Sequence, residues 1–508
     1  MKSLFSFLYI PLILTLLFIS QTNAQPGGKN APQVNIAQNA LGNIVRSFIE
    51  AVNSSDTLLI KDFVHRYLSE NLANTGPYTW NEKKYVTLMK NLKKQSGGLT
   101  AVDLRSGQAP EFMEVIFQPK AAQRILAVDF MKDASKDRLR FIETHAMHLP
   151  AGPYQWTTEK LSDEELARAI DKRIEKEVAD DQFSGTVLIA RGDSILFEKA
   201  YGYSNRGKNE KNTTDTRFHT GSIGKMLTAA AIGQLVEKGK LRFTDTLGSI
   251  LKDYPNKEAA QSVTIHQLLT HTAGIADPFE LGRRKEGVKY TTPGSNLPLF
   301  ADAPLTMKPG SFHLYSNGNY AVLAAIVEKV SGMTFEEYIN KNIFIPSGMK
   351  AADYASYTKL PRALSYSYRP DEDPLGLNPR TPAQKLENQP ELDFSGFSMG
   401  YLTAKDVYRF LLALREGKLI SPQMVNILTT GKVEVEKGAP VKYGYGFYDV
   451  SMWGVNMRGH SGGGSNSGIG ADAEMVWKNN YYVILLGNYD LEAVRPISLS
   501  IVRFLGTK

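Results

Sequence analysis

RFHTGSIGKMLTAAAIGQLVE, residues Arg217–Glu237, carries between its two charged ends a single formally charged side chain, Lys225. A helix that is apolar all round belongs in a core. Ser222 and Lys225 stand three residues apart, so one turn of that helix puts both on the same face. Desolvation disfavours an ammonium, and a neutral amine beside a serine hydroxyl can act as its base. The stretch therefore predicts a buried helix opening on a nucleophile with its base. The plainer alternative is a serine at a helix start and a lysine that reaches water along its own stem.

Working outward, Ser-x-x-Lys recurs at Ser249 with Lys252, Ser347 with Lys350 and Ser356 with Lys359. Those copies lie among charges or Pro/Gly punctuation, where a lysine stays solvated, so only the copy at Ser222 opens a buried run. Tyr315, Ser316 and Asn317 precede another apolar run, Tyr320 to Val327. Asn317 or Asn319 could simply cap that helix, and Tyr-x-Asn also occurs at Tyr203, Tyr254 and Tyr338. Its chemical reading is a tyrosine near a lysine, whose charge favours phenolate and lets the phenol take the serine proton and later activate water. Arg458, Gly459 and His460 then open a glycine-rich run, Ser461 to Gly464. Taken alone, this run reads as a flexible turn. Its functional reading is bare backbone along which a substrate can lie, with an N–H facing a developing oxyanion.

In this order, Ser-x-x-Lys at 222, Tyr-x-Asn at 315 and His-x-Gly at 460 resemble the three signature elements of the class C β-lactamase, DD-peptidase and esterase family. The phrases FHTGSIGK (Phe218–Lys225), LLTHTAGI (Leu268–Ile275), YGYGF (Tyr443–Phe447) and GHSGG (Gly459–Gly463) are similar to family segments in the same sequence. The resemblance covers roughly residues 160–508. It implies an α/β (α+β) β-lactamase/transpeptidase-like domain, an antiparallel sheet flanked by helices with an added helical region. It further implies that Ser222 forms an acyl-enzyme and that Lys225 and Tyr315 share the proton transfers. Asn317 would hold Lys225 and the substrate amide, His460, Gly462 and Gly463 would line the substrate, and the N–H groups of Ser222 and Gly463 would form the oxyanion hole. His460 stands where efficient β-lactamases carry a lysine. A mostly neutral imidazole attracts a substrate carboxylate weakly, which favours peptidase or esterase chemistry over β-lactam hydrolysis. The expected substrate is a small molecule or peptide, peptidoglycan fragments among them, presenting a D-amino-acid peptide, ester or lactam-like bond. No cofactor is implied.

At 508 residues the chain exceeds one ordinary core. Hydrophobic residues at 42% and charged residues at 22% suit folded, globular units. Leu4 to Ile19 is apolar, broken by Pro11, and ends in Thr22, Asn23 and Ala24. This reads as a signal peptide, residues 1–24, cleaved before Gln25, with export to the periplasm or exterior; an uncleaved anchor is the alternative. The chain has no cysteine, which excludes disulfides and thiol catalysis. A formal charge of +7 is a small excess, and the lysine pairs at 83–84 and 93–94 lack interleaved aromatics, so no nucleic-acid partner is expected.

Helical spacing runs through Leu41, Ile44, Phe48, Leu58 to Phe63, Tyr85 and Leu92. Four strand patterns follow, around Val102, at Phe112 to Phe117, at Ile125 to Phe130 and at Leu139. Residues 33–150 thus read as a small α+β domain that resembles, in order and size, a nuclear-transport-factor-2-like cone. Pro150, Gly152 and Pro153 mark a linker, 151–160, before the hydrolase-like unit 161–508. That unit opens with a helix and a hairpin and closes with strands at Ala473 to Trp477 and Tyr481 to Leu486, so its sheet is assembled from both ends.

Two Gly-x-Ser-x-Gly matches offer a competing α/β-hydrolase reading. Ser461 has no histidine downstream of it, and the polar, Pro390-containing approach to Ser398 is wrong for a strand entering a nucleophile elbow. A catalytically silent protein that binds or senses cell-wall peptides on the same scaffold is the non-enzyme alternative. His266 and His271, five apart, splay around a helix, so no metal site is expected.

Overall fold

The structure, a computed structural model, describes residues 36, 38–54, 56–68, 82–106, 112–120, 125–132, 138–147, 156, 161–279, 281–285, 287–367, 384–386, 393–435, 440–464 and 467–506. The signal-like segment and most of the Pro-rich span Arg369–Pro390 lie outside them.

Three helices come first, α1 (Ala40–Ser54), α2 (Thr57–Tyr67) and α3 (Glu82–Ser96). Strands β1 (Leu99–Ser106), β2 (Phe112–Pro119), β3 (Ile125–Lys132) and β4 (Leu139–Met147) then pair antiparallel in chain order. The change from a 3.6 to a 2.0 residue period is what predicts this succession. Phe48 is the hub of the shared core, its ring 5.7 Å from Phe63, 6.4 Å from Phe117 and 5.1 Å from Phe130. Trp156, inside the span read as a linker, stacks on Phe504 at 4.1 Å and donates to Ser500 Oγ at 3.0 Å.

Helix α4 (Asp163–Ala179) starts at a capping box in which Ser162 and Glu165 satisfy each other's backbone N–H groups. The hairpin β5 (Gly185–Arg191) and β6 (Ser194–Tyr201) follows. Three long helices stand farther along the chain, α5 (Gly224–Glu237), α6 (Asn317–Ser331) and α7 (Ala404–Arg415). After them come β7 (Val433–Glu434), β8 (Val441–Tyr443), β9 (Tyr448–Met452), β10 (Val455–Gly464), β11 (Ile469–Val476), β12 (Tyr481–Gly487) and helix α8 (Arg495–Gly506). The strands make one antiparallel sheet of eight, ordered β7-β8-β9-β10-β11-β12-β5-β6. Its early and late parts join where β12 pairs with β5, from Tyr481 opposite Arg191 to Gly487 opposite Gly185.

Alternation along these strands divides the core in two. Leu188, Ala190, Ala471, Ala473, Ile484 and Leu486 face the helical region that holds α5, α6 and α7. Val187, Ile189, Val483, Leu485, Val455 and Met457 face α4 and α8. Every residue of α5 from Gly224 to Leu235 is buried. Its run of alanines lets neighbouring backbone come close: a side chain at Gly224 would stand 2.6 Å from the Ser398 carbonyl carbon, and one at Gly446 would stand 2.7 Å from the Lys225 oxygen.

The glycine run expected as a turn is instead the end of β10. His460 to Gly464 stand opposite Ala473 to Ile469 of β11. Glycine hides the alternation that marks a strand, and it is required here because a Cβ at Gly462 would lie 2.0 Å from the Thr220 oxygen. On the other side β9 stops at Tyr448, opposite Gly459, so β10 runs five residues past its end.

Behind β10, on the α8 side, Arg495 pairs with Asp472 and, at 2.6 Å, with Glu474 Oε1; all three are buried. Burial raises both carboxyl groups above their usual range while the guanidinium opposes that rise. A carboxyl raised in the folded state stabilises the fold in its protonated form, a contribution lost as pH rises through the folded value. Arg495→Met should therefore cost about 3–5 kcal/mol near pH 8, and clearly less near pH 5, in urea unfolding. An equal cost at both pH values would be inconsistent with a cluster held by this cation.

Candidate active site

Ser222 sits at the entrance of α5, where a short turn, Gly221–Ile223, leads into the helix. Gly221 adopts φ of 50°, a left-handed conformation that glycine reaches without strain, and this turns the next side chain toward β10. Thr220 anchors the turn through its N–H and hydroxyl, both bonded to the Gly400 oxygen at 2.8 and 3.0 Å.

Lys225 Nζ lies 2.9 Å from Ser222 Oγ, 2.7 Å from Asn317 Oδ1 and 3.3 Å from the Phe397 oxygen. The amine is fully buried, and burial lowers its pKa well below the ordinary lysine value, opposed by the charges of Asp277 and Asp393. Once neutral, it has two hydrogens and one lone pair. Asn317 Oδ1 and the Phe397 carbonyl can only accept, so they take the hydrogens and leave the lone pair for the Ser222 hydroxyl. The other three Ser-x-x-Lys copies have no such surroundings: Ser249, Ser356 and Lys359 are at the surface or partly so, and Lys350 pairs with Asp215.

Tyr315 approaches from the opposite side, its hydroxyl donating to Ser222 Oγ at 2.9 Å. The Lys225 amine lies 4.8 Å from the centre of its ring. His271, at φ of 56° and wholly buried, packs its ring 4.1 Å from that of Tyr315 and serves as scaffold. Its Nδ1 accepts from the Ser316 N–H at 3.2 Å and meets Asn319 Nδ2 at 3.1 Å. The cap of α6 is thus Ser316, which accepts from the Gly318 N–H, and neither Asn317 nor Asn319 serves that role.

The sequence missed two acids. Asp277 Oδ2 accepts from Asn317 N at 2.7 Å and from Asn317 Nδ2 at 2.9 Å, while its Oδ1 accepts from Phe279 N at 2.9 Å. Asp393 opens the loop that carries Phe397; burial raises its pKa to about 7 against bonds from Ser395. Single acids in loops carry no periodicity, and only Asp277's place just after Leu268–Ile275 gave a hint.

Gly462 and Gly463 stand against the turn Gly221–Ile223. A Cβ at Gly462 would lie 2.9 Å from Ser222 N, and one at Gly221 would lie 2.7 Å from Gly463 N, so the two backbone nitrogens named for the oxyanion hole lie where the turn Gly221–Ile223 meets the end of β10. His460 shares this strand but is enclosed. Its Nδ1 donates to the Ser461 oxygen at 2.5 Å, and its Nε2 accepts from the Tyr443 hydroxyl at 3.1 Å. Burial lowers its pKa to about 3, so the imidazole is neutral and both nitrogens are engaged within the protein. Ser398, the alternative nucleophile, is buried in a loop against α5 and accepts from the Gly400 N–H at 3.2 Å, with no strand among the described residues 393–397 that lead into it.

The family described as Beta-lactamase matches residues 170–503, about two thirds of the chain. The chain belongs to the beta-lactamase family of serine hydrolases. Among relatives within and around that family, it is 34% identical to the putative penicillin-binding protein PbpX of Bacillus subtilis, over 57% of this chain and 68% of that one. It is 26% identical to the teichoic acid D-alanine hydrolase of Staphylococcus aureus, over 62% and 72% of the two chains. A penicillin-binding protein from Bacillus halodurans superposes with a TM-score of 0.55 at 29% identity, covering 65% of this chain and 98% of its own. The D-amino acid amidase of Ochrobactrum anthropi shares the fold at 20% identity, with a TM-score of 0.54 and coverage of 68% and 98%. The fold of the family, an antiparallel sheet flanked by helices, is the one described above.

Gly462→Ala forces β10 and the turn at Thr220 and Ser222 apart. It should slow covalent labelling of Ser222 by a fluorophosphonate about 10²-fold or more and, because backbone must shift, lower the melting temperature as well. Labelling at the wild-type rate would show that this contact does not set the geometry.

Proposed function

We propose that this protein is an acyl hydrolase that forms a Ser222 acyl-enzyme on the carbonyl of a D-aminoacyl amide, ester or peptide. The observation that carries the reading is the position of Ser222 Oγ, held 2.9 Å from both the buried Lys225 amine and the Tyr315 hydroxyl. Lys225 accepts the hydroxyl proton as Oγ bonds to the substrate carbonyl carbon. Negative charge gathers on the carbonyl oxygen, which the N–H groups of Ser222 and Gly463 would receive. As the tetrahedral carbon collapses, the bond to the leaving nitrogen or oxygen breaks and Tyr315 donates it a proton; the Lys225 ammonium restores the phenol. A water then gives its proton to the Lys225 and Tyr315 pair, attacks the acyl carbon and releases Ser222, which regains its hydrogen.

Asn317 has its Oδ1 on Lys225, and we read it as holding the substrate amide as well. The substrate would lie along Gly462 and Gly463, where β10 extends past β9. A neutral His460 offers no charge to a substrate carboxylate, which supports D-aminoacyl transfer to water over efficient β-lactam hydrolysis. Relatives named as a teichoic acid D-alanine hydrolase and a D-amino acid amidase support the same class of acyl donor. We further propose export through residues 1–24, with a cell-wall peptide or ester as substrate; residues 33–150, whose cone-like resemblance is carried by pattern alone, are read as a packing or docking unit.

Wild type should react with a fluorophosphonate while Ser222→Ala does not. On a panel of nitrocefin, a p-nitrophenyl ester, a D-Ala-D-Ala peptide and a D-aminoacyl amide, turnover should favour the last three. Equal labelling of the two proteins would end the Ser222 mechanism, and nitrocefin as the best substrate would end the preference. N-terminal sequencing of the protein recovered from an expressing cell should begin at Gln25; an intact Met1 would contradict cleavage.

A further inference from the structure

A carboxamide has one donating and one accepting end of nearly equal size, so something must decide which end of Asn317 faces Lys225. We propose that Asp277 is a positioning residue that fixes the Asn317 amide with its oxygen on Lys225, and so directs the lysine lone pair at Ser222. This deepens the Ser222 reading and rests on it.

A carboxylate only accepts hydrogen bonds. Asp277 Oδ2 receives two from one residue, the backbone N–H of Asn317 at 2.7 Å and its Nδ2 at 2.9 Å. Its Oδ1 is held by the Phe279 N–H at 2.9 Å, so the carboxylate cannot turn away without losing that bond. A reversed Asn317 amide would place oxygen against oxygen at Asp277 and an NH2 group against the lysine amine at the 2.7 Å contact. The first encounter is repulsive in a site where Asp277, Asn317 and Lys225 are all buried, and in the second the NH2 group would donate to the lysine lone pair and take it from Ser222. With the oxygen fixed on Lys225, one amine hydrogen is taken there and the second at the Phe397 carbonyl, 3.3 Å away. The only direction left for the lone pair is Ser222 Oγ, 2.9 Å away. Asp393, the other acid whose charge reaches Lys225, is bonded by the Ser395 N–H and has no bond to Asn317, so orientation falls to Asp277 alone among the described residues.

The test is a double-mutant cycle on the full-length protein, read as the rate of fluorophosphonate labelling. Asp277→Asn presents a donor where only an acceptor fits, and should slow labelling about 10²-fold, the scale of a displaced general base. Asn317→Ala should be slow as well. If Asp277 acts through Asn317, adding Asp277→Asn to Asn317→Ala should change the rate by no more than about twofold, because neighbours in one network do not add. The acid limb of the rate in Asp277→Asn should also move to lower pH, since a negative charge beside Lys225 is gone; Asp393, His271 and His460, which also face the amine, remain. Multiplying effects, an unmoved acid limb or a wild-type rate in Asp277→Asn would each overturn the proposal. Should Asp277→Asn fail to fold, Asp277→Ala, which adds no misdirected donor, takes its place in the same cycle. Ser222→Ala is the separate control: its labelling would sink the acyl-enzyme reading itself, whatever the cycle gives.

Discussion

A lysine amine with no access to water is the constraint around which this molecule is arranged. Burying it as an ion costs several kcal/mol, and the usual escape is loss of the proton. Here the neutral form is also the useful one, because two acceptors claim its hydrogens and leave its electron pair beside Ser222. Much else follows from keeping that amine dry. The alanines of α5 bring neighbouring backbone close, Gly446 and Gly224 admit it without a clash, and the Gly396 to Gly400 loop seals the helix start with bonds to Thr220 and Thr228.

How much of this could be read from the chain depended on whether a feature left a periodic trace. Helix α5 was legible because Lys225 is isolated in an apolar run, and the strands near Ala473 and Tyr481 because buried strands read as short apolar blocks. The N-terminal helices and four strands showed through their change of period. Gly459 to Gly464 did not, since residues without side chains cannot alternate, and the segment is a strand because β11 pairs with it and Thr220 leaves room for nothing larger. Asp277 and Asp393 were invisible for another reason: each is one acid in a loop, and their convergence on Lys225 exists only in space. His460, expected to line the substrate, is instead enclosed with its ring nitrogens on Tyr443 and Ser461, which could not be foreseen because those bonds depend on which way a ring turns.

The site draws its members from distant parts of the chain and sets each on a different support. Ser222 and Lys225 ride a buried helix, Tyr315 and Asn317 flank the start of another, and Gly462 and Gly463 belong to the sheet. Supports of this kind hold side chains with less play than loops do. The loop residues that take part, Asp277 and Phe397, do so through bonds to the rigid members.

The junction of β12 with β5 has a consequence in time. During synthesis the hairpin and the helix bearing Ser222 are made well before β10, whose glycines pack beside it, and β11. Contacts between such remote parts of a chain form slowly, because a long loop must close first. A growing polypeptide therefore carries Ser222 for nearly half of the length of this sequence before the strand that meets it is complete. The surroundings of Ser222 are complete only when β10 and β11 close the sheet.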